Sequence, residues 1–345
     1  MHNLPVKNLL LVWLADLKGK DKTVADTIVL TDGLHFGEGP RWHDGRLWFS
    51  DFYDHAVKSV SSEGELRIEH RFADQPLGLG WLPDGRLLVV AMKQMKVLRQ
   101  EGDGFVEHAD LSGLAKHMCN DMVVDGAGRA WVGNFGFDLN AELSTREVED
   151  VLADHPTTNL VRVDPDGSVH LAASDVHFPN GTVITPDGKT MILAETLAMR
   201  LSAFDIAADG SLSNRRVWAE VTGRAPDGIC LDADGNVWVA NAIAPECVLV
   251  AEGGEVLQVV QTSDNCYACM LGGADGRDLH MVTASSSHSE IVSVERSGKI
   301  EKVRVSAPAL LQRAGLRACI KPVITAMKFR RTGRSLIMGY PYSVQ

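Results

Sequence analysis

The stretch NGTVITPDG, Asn180 to Gly188, opens on a polar side chain, runs on as a short apolar strand and closes at a turn glycine. The same frame recurs as EGPRWHDG from Glu38, NDMVVDGAG from Asn120 and DGICLDADG from Asp227. Two more segments, LGLGWLPDG from Leu77 and ACMLGGADG from Ala268, keep the frame with an apolar residue in the polar slot. The turn glycines fall at 45, 85, 128, 188, 235 and 276, spaced by 40, 43, 60, 47 and 41 residues. That is the period of a four-stranded propeller blade. A second β-rich run follows each turn: RLWFSD, RLLVVA, RAWVGN, KTMILAE, NVWVAN and RDLHMVT. The reading is an all-β, six-bladed β-propeller over residues 27–301, with an N-terminal extension 1–26 and a basic C-terminal extension 302–345.

Finer features fit this frame. SEGEL, DPDGSV, AADGSL, EGGEV and RSGKI supply turns between third and fourth strands. The long third interval holds the acidic NAELSTREVEDVLAD, Asn140 to Asp154, a loop insertion with helical spacing that lies over one face. TIVL at 27–30 precedes the first blade and is placed to pair with the last, closing the ring and removing an exposed edge.

Composition narrows the function classes. The 345 residues are 45% apolar and 23% charged, ordinary for a globular chain. A net charge of −11 argues against nucleic acid as the main partner. The segment from Lys302 to Gln345 carries nine Lys or Arg and no Asp or Glu, and no function is assigned to it. Leu9–Leu14 is too brief for a spanning helix and lacks a small-residue cleavage site, so the expectation is a cytoplasmic protein without membrane contact. Cys266 and Cys269 form one CxxC with no second half-site; with the other cysteines they read as buried free thiols, in keeping with a reducing compartment.

An isolated Asn-Gly or Asp-Gly pair is a turn signal. Four polar residues in one register, each opening an apolar strand, point instead to a shared site. In a propeller every innermost strand starts on the same face beside the central channel, so Glu38, Asn120, Asn180 and Asp227 converge on one axial point. Two carboxylates and two amide oxygens favour a hard cation: Ca²⁺ first, then Mg²⁺ or Mn²⁺, with Zn²⁺ also admissible where free calcium is scarce. The second strands return to the same rim and end in Asp51, Asn134, Glu195 and Asn241, whose expected task is to orient the ligands. His117 and His177 each lie three residues before a candidate ligand and are candidates for substrate contact or proton transfer; His35 is similarly placed.

The chain resembles the senescence-marker-protein/gluconolactonase (regucalcin-like) family over roughly residues 30–300. GEGPRWHDGRLWFSD, CNDMVVDGAGRAWVGN, FPNGTVITPDGKTMILAET, APDGICLDADGNVWVAN and CYACMLGGADGRDLHMVT carry the resemblance. It implies a six-bladed propeller and a divalent-metal lactone hydrolase. Glu38, Asn180 and Asp227 match the family's metal ligands, and Asn120 matches its pocket asparagine, which touches metal-bound water or substrate. Sugar-lactone members carry an Arg two residues before that asparagine; here the position is Met118. Phe135 and Phe137 fall on the adjacent loop, so the pocket is expected to prefer a less hydroxylated ring.

The expected reaction is opening of a lactone or related cyclic ester by Lewis-acid activation of the carbonyl and attack of water. Asp227 is the first candidate for general base, and metal-bound hydroxide the alternative. Two rivals stay open: a phosphotriesterase of the diisopropylfluorophosphatase type, and a non-enzymatic calcium-binding propeller. Neither substrate identity nor oligomeric state follows from the sequence.

Overall fold

A computed structural model describes residues 27–309. Six four-stranded antiparallel sheets form six blades. The innermost strands are Gly37–His43, Pro76–Trp81, Cys119–Val124, Pro179–Ile184, Pro226–Leu231 and Asn265–Gly272. Each packs against the next, and the sixth packs against the first, so the ring is closed.

Closure comes from the N-terminal side. Strand Ile28–Leu34 pairs with Gly298–Arg304, from Ile28 opposite Lys302 to Leu34 opposite Gly298, and supplies the outermost strand of the sixth blade. The pairing expected of TIVL is therefore present. RSGKI has a different place from the one expected. It leads into the third strand of its blade, because the fourth is contributed from the other end of the chain.

Burial falls from axis to rim, and the sequence pattern follows it. Second strands such as Leu87–Ala91, Ala130–Asn134 and Val237–Asn241 are buried throughout, being covered on both faces by neighbouring blades. Hence they read as continuous apolar runs instead of alternating ones. The outermost strand Leu66–Arg71 has no fully buried residue. Apolar clusters fill the gaps between successive blades: Leu88, Val90 and Met122 between the second and third, Trp131, Leu193 and Phe204 between the third and fourth, and Leu34, Phe49 and Ile300 across the closure.

The acidic insertion forms two short helices, Leu139–Leu143 and Val148–Ala153. A third, Ser289–Val292, interrupts the sixth blade. Among the described residues no helix is long and apolar enough to cross a membrane. Cys119, Cys230, Cys247, Cys266 and Cys269 are buried free thiols; Cys319, the extension 1–26 and most of the basic tail lie outside the described residues.

Candidate metal centre and ligand face

Glu38, Asn120, Asn180 and Asp227 each occupy the second position of an innermost strand, and none is more than 7% exposed. Strand pairing slips at each of these positions, between Glu38 and Arg41, Cys119 and Met122, Pro179 and Thr182, and Pro226 and Ile229. A bulge releases a residue from the ladder and re-aims its side chain. The equivalent position in the second blade is Leu77. In the sixth it is Tyr267, not Ala268, because Cys266 pairs with Thr283 just as Cys119 pairs with Asn134. The glycines that follow permit the close approach of neighbouring strands. A Cβ on Gly181 would stand 2.6 Å from the Asp227 carbonyl oxygen, and one on Gly228 2.6 Å from Ala268 Cα.

Hydrogen bonds tie the two asparagines to each other and to the strand that carries Asp227. Asn120 Nδ2 donates to Asn180 Oδ1 (3.1 Å) and to the Pro179 carbonyl (3.4 Å). Asn180 Nδ2 donates to Thr196 Oγ1 (3.3 Å), whose hydroxyl in turn donates to the Pro226 carbonyl (2.8 Å). Both amide nitrogens are thus spent on protein acceptors, which leaves the Asn120 oxygen and the second lone pair of Asn180 Oδ1 to face a ligand.

The carboxylates are in an unfavourable state as they stand. Burial, followed by the negative charges of Asp227 and Asp121, holds the Glu38 carboxyl well above its usual range. Burial and then Asp121 do the same to Asp227, against the pull of the Asn180 amide. Two buried like charges raise each other's proton affinity, and a cation between them relieves both effects. Among the described residues no group of three or more His, Cys, Asp or Glu is arranged to hold an ion. The axial set has only two such residues; its other oxygens belong to amides. An oxygen-only set with net charge −2 fits a hard divalent ion.

Asp121 was not singled out in the sequence. It sits where the other innermost strands carry Gly39, Gly78, Gly181, Gly228 and Ala268, and that contrast was its signal. It is 3% exposed, its Oδ1 has no partner among the described residues, and burial raises its pKa against the opposing charge of Arg41. Arg41 is half-buried and donates to the carbonyls of Pro40 and Met122.

The polar ends of the second strands bond backbone amides and side chains of their own blades, not the candidate ligands. Asp51 accepts from the amides of His35 (3.2 Å) and Phe36 (2.9 Å), and Asn134 Oδ1 from Lys116 (3.2 Å). Glu195 accepts from His177 (2.9 Å) and Asn241 Oδ1 from Ala225 (3.1 Å). Each bond pegs the loop that leads into the ligand strand of its own blade.

The equivalent positions of the second and sixth blades, Leu77 and Tyr267, belong to an apolar wall. Phe36, Phe52, Leu77, Met92 and Tyr267 are buried together, with Phe135 packed against them. Phe36 lies 4.7 Å from Tyr267, and Phe135 stacks on Phe178 at 4.9 Å. Phe137 meets Phe178 edge-on at 6.2 Å. Met118 contributes its carbonyl to the Phe135 amide (3.0 Å), and His117 Nδ1 is buried without a partner among the described residues.

A closed six-bladed ring in which four innermost strands carry a carboxylate or an amide at their second position is one class of propeller among many. The chain belongs to the SMP-30/gluconolactonase/LRE-like family, whose model matches residues 36–285. Regucalcin of Bos taurus is 26% identical over 265 residues, covering 74% of this chain and 85% of that one. Pentonolactonase XacC of Haloferax volcanii is 26% identical over 268 residues, covering 75% and 84%. The crystal structure of a calcium-binding regucalcin from Agrobacterium tumefaciens superposes with a TM-score of 0.67 at 19% identity, over 83% of this chain and 96% of that one. This last likeness carries the fold alone.

Proposed function

We propose that the protein is a metal-dependent hydrolase that opens a lactone or related cyclic ester. The observation that carries this reading is the pair of buried carboxylates, Glu38 and Asp227, each raised by burial and by neighbouring negative charge, beside two amides whose nitrogens are already committed. Glu38, Asn180 and Asp227 would hold the ion, Ca²⁺ by preference, and Asn120 would contact it or orient the ligand beside it. When bound, such an ion supplies Lewis acidity toward an ester carbonyl. Asp227 is also a candidate to take a proton from water, a role that competes with ligation. The pentonolactonase relative and the gluconolactonase family model support the same class of chemistry.

Met118, Phe135 and Phe137, with the wall of Phe36, Leu77 and Tyr267, offer apolar surface where a polyhydroxylated ring would need donors and acceptors. The preferred substrate is therefore a lactone with few hydroxyl groups. Chelator-stripped protein, assayed on a panel of lactones with one divalent ion restored at a time, tests this. Ion-dependent hydrolysis that favours alkyl over sugar lactones is expected. Hydrolysis indifferent to chelation, or turnover of aryl phosphotriesters alone, would replace the reading.

A further inference from the structure

Histidines stand three residues before Glu38, Asn120 and Asn180, at His35, His117 and His177. Two of them are wired to the helical insertions. His35 Nδ1 lies 3.0 Å from the carbonyl of Val292, in helix Ser289–Val292. His177 is reached from helix Val148–Ala153 through a second imidazole: His155 Nδ1 is 3.0 Å from the Val151 carbonyl, and His155 Nε2 is 2.9 Å from His177 Nδ1.

The proton positions in this chain follow by elimination. A carbonyl only accepts, so His155 Nδ1 carries hydrogen. In the neutral ring Nε2 is then a bare lone pair, and the hydrogen between the two rings belongs to His177 Nδ1. One nitrogen of the pair is left bare, His177 Nε2, and it has no hydrogen-bond partner among the described residues.

We propose that His177 Nε2 is the proton acceptor of the ligand face, and that His155 is a positioning residue that fixes which nitrogen of His177 is free. The catalytic use of that nitrogen rests on the hydrolase reading above; the location of the proton does not. In hydrolysis, Nε2 takes a proton from water as the water oxygen bonds to the carbonyl carbon. The imidazolium returns that proton to the departing alkoxide oxygen as the ring C–O bond breaks. The net change is addition of one water, and Asp227 is spared a role that competes with ligation.

The surroundings hold the pair in place. The His177 amide donates to Glu195, which is fully buried and paired with Arg200 (3.2 Å) and Arg215 (2.9 Å). The His155 ring lies 6.4 Å from Phe137 at an interplanar angle of 29°. Phe178 follows with φ at +56°, a left-handed conformation costly for an aromatic residue, and turns the chain into Asn180. Burial lowers the His177 pKa, Glu195 opposes, and His155, Arg200 and Arg215 add to the lowering. The ring is therefore neutral at pH 7, as a base must be. Asp175, nearby in sequence, is engaged with Thr157 and Ser174.

Two-bond proton–nitrogen correlation spectra of the full chain, labelled at histidine nitrogens and assigned with His155→Phe and His177→Gln, read these positions directly. Both rings should carry their proton on Nδ1 at neutral pH. Acidification should protonate His177 Nε2, with a midpoint below the ordinary 6.5. In His155→Phe, His177 should move toward the Nε2-protonated form that free imidazoles prefer. A wild-type His177 protonated at Nε2 overturns the proposal, and so does a tautomer indifferent to His155; should His155→Phe misfold, the wild-type spectrum still decides. On any ester the wild type hydrolyses, His177→Gln should lower kcat by about 100-fold with KM within about threefold; an unchanged kcat overturns the catalytic use. A chain with these proton positions and no hydrolytic activity would sink the hydrolase reading and leave the imidazole assignment standing.

Discussion

At the scale of single residues, the chemistry turns on charge that the fold leaves uncompensated. Glu38 and Asp227 are buried like charges, so the ion-free protein is destabilised by its own site. The sign follows from the raised pKa of Glu38. Above the unfolded value of 4.5 the folded state retains protons that the unfolded chain has released, so ion-free stability falls as pH rises through the folded value. Glu38→Gln should therefore raise the melting temperature of the stripped protein near neutral pH and abolish its stabilisation by Ca²⁺; a lower melting temperature with the Ca²⁺ response intact would count against the site. Asp227→Asn should reduce hydrolysis at least about 100-fold without loss of fold, as followed by circular dichroism and initial rates. The shared strand position of Glu38, Asn120, Asn180 and Asp227 was legible because each opens an apolar run seven or eight residues before a turn glycine. Tyr267 was not, because the bulge in the sixth blade shifts the polar slot by one residue relative to the frame counted from Gly276. Asp121 was hidden as well: beside Asn120 it reads as an ordinary strand-start polar residue until the ring of glycines around it is seen.

At the scale of strands and loops, the second strand of each blade that carries a candidate ligand fixes the approach to the first. Asn241→Ala removes the acceptor of the Ala225 amide. It should cost about 1–2 kcal/mol, and amide hydrogen exchange should quicken at Ala225 while Trp238 and Val239 stay protected; uniform protection would show that the peg is dispensable. Blade six carries a pH-sensitive element of another kind. His280 is fully buried, stacked on Trp42 at 5.4 Å, with its Nε2 unpartnered among the described residues, and burial pushes its pKa down to about 4. Between pH 6.5 and 4 the unfolded chain binds a proton that the folded chain refuses. Stability is thus intact above 6.5 and lost progressively as pH falls, by up to about 3 kcal/mol. His280→Phe should flatten that part of the denaturation profile; an unaltered profile would place the acid sensitivity elsewhere. Strand positions were readable from dense β-branched and aromatic runs. The role of RSGKI was not, because which strand a turn precedes depends on a partner from the other end of the chain.

At the scale of the whole molecule, ring closure by Ile28–Leu34 joins the two ends of the described fold. Removing residues 1–34 would bare the edge of Gly298–Arg304 and open the cluster of Leu34, Phe49 and Ile300. The melting temperature should fall by at least about 10 °C, with aggregation through the freed edge. The blade count and the closing strand were visible because the repeat is a property of local patterning. The shared register of the axial candidates was visible only by geometric inference from that repeat, and of the imidazole pair only His177 was visible: His155 follows an insertion with no counterpart in the other blades. The central claim is that residues from four blades meet to bind one divalent ion, and calorimetric titration of Ca²⁺ into chelator-stripped protein tests it most directly. One site per chain, lost in both Glu38→Gln and Asp227→Asn, is the predicted result; no binding, or binding that survives both substitutions, would contradict it.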